Sequence, residues 1–227
     1  MASNLKGSLS LYDDYIQKQL EIYLRAFRGT ENTVLTPHKL VVQGARGYLI
    51  AWTYPYRLSK LFATFGRNIG RILPAICYGP DQLHTTITDY LVAPSTEIDN
   101  DILKQLCQVV NLSKYKIRSS RNIFSHWVFG KDSVIIPAFA DDFFIESSLL
   151  IQGSGREMGL DLRLPWGSHI TVARFTEEVV DREKIRQLQE MLSFSPAGEF
   201  ILDTLIVGSF ELTQNSFRLD VFNSYCF

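Results

Sequence analysis

Twice along this chain the same order of segments recurs, and each time it closes on a histidine followed two residues later by a threonine. In the first half the apolar run YLIAWTY leads through the helix-like stretch YRLSKLFATFGRNIGRIL and a turn at YGPDQ into LHTTITDYLV. In the second half SVIIPAF leads through ADDFFIESSLLIQGSGREMGL and RLPWGS into HITVARF. Counted from comparable points of the leading strands, Trp52 to His84 and Pro137 to His169, both intervals are 32 residues. This spacing predicts an internal duplication, two similar lobes each built from strand, helix and returning strand. The chain has only four histidines, and two of them stand at equivalent points of the repeat.

Side chains two apart on a strand share a face. His84 and Thr86 therefore point one way while Thr85 and Ile87 point the other, and His169, Thr171 and Ala173 share a face opposite Ile170 and Val172. If the apolar faces pack on helices, the polar pairs of the two lobes line one cleft. Two imidazoles suit phosphoryl transfer without a metal: the neutral one removes a proton from the attacking oxygen and the protonated one donates to the leaving oxygen. Each threonine hydroxyl can donate to a non-bridging oxygen as charge builds there.

The remaining segments fit around these units. Residues 9–28 carry Leu11, Tyr15, Leu20, Ile22, Tyr23 and Phe27 near a helical stripe that Gly29 would stop. TVLTPHKLVVQGARG reads as a loop with extended pieces. The second intervening helix is expected to fray or end near Gly153 and Gly155. EIDNDILKQLCQVVNLS is a helix with Asp99 or Asn100 as its N-cap, KYKIRSSRNIFSHWVFGKD a hairpin or a loop, and DREKIRQLQEMLSF an amphipathic helix. FILDTLIVGSFELTQNSFRLDVF gives two strands around TQNS. The expected fold is α+β and bilobal, two antiparallel sheets lining a central cleft with helices on the outer faces. Residues 1–47 form an N-terminal helix and extended segment packed on a single domain, 48–227.

Charge limits the partners. With 23 basic and 24 acidic side chains, no global field draws the chain to long nucleic acid or an anionic membrane, so an anion must be held by a local site. Cys77, Cys107 and Cys226 are too few and too scattered for a disulfide framework or a zinc site, which points to a reducing, cytoplasmic setting. The first twenty residues lack the apolar core of a signal peptide, and no window reaches about 18 apolar residues.

The paired motifs His84-Thr85-Thr86 and His169-Ile170-Thr171 resemble those of the two-histidine (2H) phosphoesterase superfamily, the LigT-like and cyclic-phosphodiesterase-like proteins, over roughly residues 48 to 225. The resemblance extends to the closing LDTLIVGSFEL and SFRLDVF hairpin. It implies a metal-independent phosphodiesterase needing no cofactor, with His84, Thr86, His169 and Thr171 as its catalytic groups. Its substrates would be nucleotides or short oligonucleotides: 2',3'-cyclic phosphates, 2',5'-linked oligoadenylates, RNA ends or cyclic oligonucleotides. The middle residue of such motifs is usually apolar, as Ile170 is. Thr85 departs from this, which places the first strand nearer an edge or in looser packing.

Substrate contacts are expected from aromatic and basic neighbours. Trp52 reads as core, Tyr54 and Tyr56 as platforms for a base at the strand end, and Trp166 as part of the cleft rim. Arg174 and Arg46 are the cations placed to meet a phosphate, each competing with a simple surface role, while Arg67 and Arg71 decorate a helix. His38, in a loop, and His126, in an aromatic run, read as structural. The alternative to an enzyme is a nucleotide-binding or sequestering module on the same fold. A cysteine hydrolase using Cys77 or Cys107 is weaker, since neither lies in a nucleophile turn.

Overall fold

A computed structural model describes residues 13–24, 34–124, 127–192 and 198–227. The first described elements are a helix, α1, over residues 13–24, and a short helix α2 (Lys39–Gln43) capped by the His38 side chain. Strand β1 (Ala45–Thr53) then runs into α3 (Tyr56–Ile72), β2 (Ala75–Cys77), a 3-10 turn at Pro80–Gln82, and β3 (His84–Val92). The middle of the chain forms α4 (Asn100–Ser113), β4 (Ser120–Phe124) and β5 (Val128–Phe129). The second unit follows as β6 (Ser133–Ala140), α5 (Asp142–Glu157) and β7 (His169–Phe175), and the chain ends with α6 (Arg182–Leu192), β8 (Gly198–Leu202), β9 (Thr204–Leu212) and β10 (Phe217–Cys226).

These strands make two antiparallel sheets. One has the order β10-β9-β1-β3; the other has β2-β7-β6-β4-β8, with β5 on β6. The repeat is visible as β1-α3-β3 and β6-α5-β7, each returning strand lying beside its leading one, with Thr53 opposite His84 and Pro137 opposite His169. The short strand β2 leaves the first unit and pairs with β7 of the second, so the lobes share hydrogen bonds as well as a core. Trp52, Tyr48, Phe62, Phe144 and Phe175 are fully buried in that core, each worth about 1.5–3 kcal/mol of burial or more.

Several local expectations change. TPHKLVVQ contains α2 rather than only loop, and β1 starts at Ala45 once Gly44, at φ +71°, has turned the chain. Asp99, not Asn100, caps α4, accepting from Asp101 N–H at 2.7 Å. Segments β4 and β5 both pair with β6 instead of forming a hairpin with each other. The helix α5 runs through Gly153 and Gly155 and ends two residues beyond the second, at Glu157. A Cβ on Gly155 would lie 2.5 Å from Leu162 Cδ1, so this glycine lets the following segment pack against the helix. His126 and the ends of the 9–28 helix lie outside the described residues.

Candidate active site

Both histidine motifs face one cleft between the sheets. His84 and Thr86 on β3 and His169, Thr171 and Arg174 on β7 line a common inner cavity, which opens into a wider cavity of about 630 Å³ reaching α1. Strict alternation would have put Ala173 here. Instead Ala173 is fully buried and Arg174 is in the cleft. The cause is a β-bulge in the same place in both motifs. Ile50 and Ala51 oppose Thr88 and Thr86, leaving Ile87 extra; Val134 and Ile135 oppose Ala173 and Thr171, leaving Val172 extra. An extra residue three positions after each histidine re-phases the strand and aims its fifth neighbour, Asp89 or Arg174, into the cleft.

The two imidazoles are held alike. His84 Nδ1–H donates to Gln82 C=O at 2.7 Å, and His169 Nδ1–H donates to Gly167 C=O at 3.1 Å. A carbonyl can only accept, so each contact fixes the tautomer and leaves Nε2 bare for chemistry. His84 lies parallel to Phe217 at 6.0 Å, and Phe217 stacks on Tyr78 at 4.2 Å; His169 stacks on Trp166 at 4.1 Å. Burial pushes both imidazoles down to about 4, with Arg174 adding to the depression and the carbonyl contacts opposing it. At neutral pH both rings are therefore uncharged. Among the described residues the hydroxyls of Thr86 and Thr171 have no partner in the protein.

Thr85 is fully buried, and its hydroxyl donates across to the His169 backbone C=O at 3.1 Å while accepting from the Tyr54 hydroxyl. The unusual middle residue of the first motif thus ties it to the second. β3 is indeed the last strand of its sheet, but Thr85 itself is tightly packed.

Arg174 is oriented rather than solvated. Its Nε donates to the Tyr78 hydroxyl at 2.7 Å and its Nη1 to His38 Nε2, while Leu40 N–H donates to His38 Nδ1 at 3.2 Å. A neutral imidazole has one bare nitrogen, so these two donors compete for it, and burial together with Arg174 holds His38 down to about 4 against the pull of Asp132. Across the cleft mouth Arg163 makes a bidentate pair with Asp89, at 2.6 and 2.7 Å, and the two backbones exchange hydrogen bonds as well. Arg163, Asp89, Tyr78, Phe217 and His38 carry no spacing signal in the sequence; only tertiary structure brings them here.

Two expected substrate contacts are elsewhere. Tyr54 is buried, and Tyr56, the first residue of α3, is 63% exposed and lines neither cavity. Trp166 does line the outer cavity. Arg46 sits on β1, ion-paired with Glu211 and donating to Thr96 C=O at 2.9 Å. Among the described residues no group of three His, Cys, Asp or Glu side chains is arranged to hold a metal ion. No described helix is long and apolar enough to cross a membrane.

No protein-family model matches the chain, and no curated protein matches its sequence. Solved structures match its fold. The protein TT0787 of Thermus thermophilus aligns with a TM-score of 0.54 at 13% identity, covering 79% of this chain and 97% of that one. E. coli LigT complexed with 3'-AMP gives 0.53 at 13% identity, and LigT complexed with ATP gives 0.51 at 12%, each covering 80% of this chain and 98% of LigT.

Proposed function

We propose that this chain, which has the fold of the two-histidine phosphoesterases, is a phosphodiesterase in which His84 and His169 exchange the roles of general base and general acid. The observation that carries this reading is the matched pair of imidazoles, each with Nδ1–H tied to a backbone carbonyl and Nε2 bare, lining one cavity with two unpartnered threonine hydroxyls. One Nε2 takes the proton of the attacking hydroxyl as its oxygen bonds to phosphorus. The other, protonated, delivers its proton to the leaving oxygen as that P–O bond breaks. Attack by water yields a phosphomonoester and an alcohol; attack by a ribose hydroxyl of the substrate yields a cyclic phosphate. The same residues run the reverse roles in the two directions, so neither histidine is permanently the base.

Thr86 and Thr171 donate to the non-bridging oxygens, and the Arg174 guanidinium, held by Tyr78 and His38, faces the same charge. Binding the anion also supplies the missing acid. With both rings neutral in the empty cleft, a phosphodiester between them favours the imidazolium form and draws a proton in. The apolar shelf of Leu49, Leu91, Phe210 and Phe217 beside the histidines suits a nucleoside. LigT has been seen with 3'-AMP and with ATP, which supports a nucleotide or short oligonucleotide as substrate. The wild-type chain, in excess EDTA, is expected to cleave at least one member of a panel of 2',3'-cyclic mononucleotides, 2',5'-oligoadenylate and cyclic di- and trinucleotides. Products seen only when divalent metal is restored would overturn the metal-independent mechanism.

A further inference from the structure

We propose that Gln19, on α1, is a positioning residue for His169, its carboxamide wedged into the β6–β7 ladder one residue before the histidine. The inference rests on the role given to His169 above. In an antiparallel pair, alternate residues exchange two backbone hydrogen bonds. Pro137 opposite His169 is a non-exchanging pair, so Ala138 and Ser168, the next pair, should exchange both. Only one is made, Ala138 N–H to Ser168 C=O at 2.9 Å. The other is opened by Gln19: Ser168 N–H donates to its Oε1 at 2.9 Å, and its Nε2 donates to Ala138 C=O at 2.8 Å.

Gln19 is fully buried, and its orientation is forced by a donor on one side and an acceptor on the other. The wedge also needs a glycine next door. A Cβ on Gly167 would lie 2.8 Å from Gln19 Cγ and 3.0 Å from its Oε1. Gly167 supplies the carbonyl that fixes the His169 tautomer. One turn further along α1, the Tyr23 hydroxyl donates to Ser168 C=O at 2.5 Å, and the Tyr23 ring meets the edge of Trp166, which stacks on His169. Helix α1 thus grips residues 166 to 168 at three points. His84 has no such dependence: its carbonyl belongs to Gln82, whose side chain accepts from Gly79 N–H and donates to Phe217 C=O. It serves as an internal control.

The test is the tautomeric state of each imidazole, read by long-range proton–nitrogen correlation in nitrogen-15-labelled full-length protein at neutral pH, in the wild type and in Gln19→Leu. Wild type should show both histidines as Nδ1–H. In Gln19→Leu, His169 should become a mixture containing Nε2–H while His84 is unchanged, and kcat should fall about ten-fold or more with little change in KM. An unchanged His169, or an equal change in both rings, overturns the proposal. Should the variant not fold, wild type still decides: the Gln19 carboxamide protons must exchange slowly with solvent, and rapid exchange overturns the wedge. The imidazole readout needs no turnover, so a chain that cleaves nothing but still shows the selective change at His169 would sink the phosphodiesterase reading and leave the wedge standing.

Discussion

The Thr85 hydroxyl joins the two motifs directly, and its removal separates packing from positioning. Thr85→Val keeps the volume but leaves the Tyr54 hydroxyl and the His169 carbonyl buried without their partner. A stability loss of about 1–3 kcal/mol by urea unfolding is expected. Turnover should fall further than Tyr54→Phe lowers it, because Tyr54→Phe leaves the Thr85 bond to His169 in place. The histidines also set a pH dependence. His38, His84 and His169 are held down to about 4, below the ordinary value near 6.5, so the unfolded chain binds more protons than the folded one between those values. Their contribution is fully present above pH 6.5 and is lost as pH falls towards 4, by about 1–3 kcal/mol for each histidine. Urea midpoints measured from pH 7.5 to 4.5 should show this fall, and His84→Asn with His169→Asn should flatten it. An equally steep fall in the double variant would contradict the assignment.

At the scale of elements, the sequence was most legible where local patterns agree with tertiary needs. The repeat of strand, helix and strand, the faces of His84, Thr86, His169 and Thr171, and a cap for α4 at Asp99 or Asn100, which is Asp99, all follow from short-range rules. It was least legible where a bulge or a distant contact intervened. The two-residue period assumes an unbroken pleat, so the extra residues Ile87 and Val172 hid the cleft positions of Asp89 and Arg174. Glycine propensity pointed to an end of α5 near Gly153 and Gly155, and the helix does end at Glu157, but propensity gave no sign of the close approach of Leu162 that gives Gly155 its place inside the helix. A similar approach makes β1 testable. A Cβ on Gly47 would lie 2.3 Å from Tyr90 C=O on β3. Gly47→Ala should cost about 1–3 kcal/mol of stability. Its cross-strand partners Leu91 and Phe210 belong to the apolar shelf, so KM should rise, while kcat per folded molecule should hold because the Thr53–His84 pair lies at the far end of the ladder.

Across the whole molecule the repeat foretold two lobes but not how they are joined. β2 crosses to the second sheet, Thr85 bonds to the opposite motif, Arg163 straps the second lobe to β3, and α1 grips the loop before His169. Each join pairs residues far apart in sequence with no periodicity to announce them. Together they hold the two histidine motifs in one cleft, as the proposed reaction, with an attacking and a leaving oxygen on opposite sides of phosphorus, would require. The most direct measurement is mass-spectrometric quantification of products from the wild type, His84→Ala, His169→Ala and the double variant, in excess EDTA, on whichever phosphodiester the wild type cleaves. Each single variant should lose at least about a hundred-fold in rate and the double variant should be scarcely worse than either, since acid and base act as one unit. Near wild-type turnover in either single variant, or no cleavage of any phosphodiester by the wild type, would contradict the two-histidine mechanism and leave a nucleotide-binding module in its place.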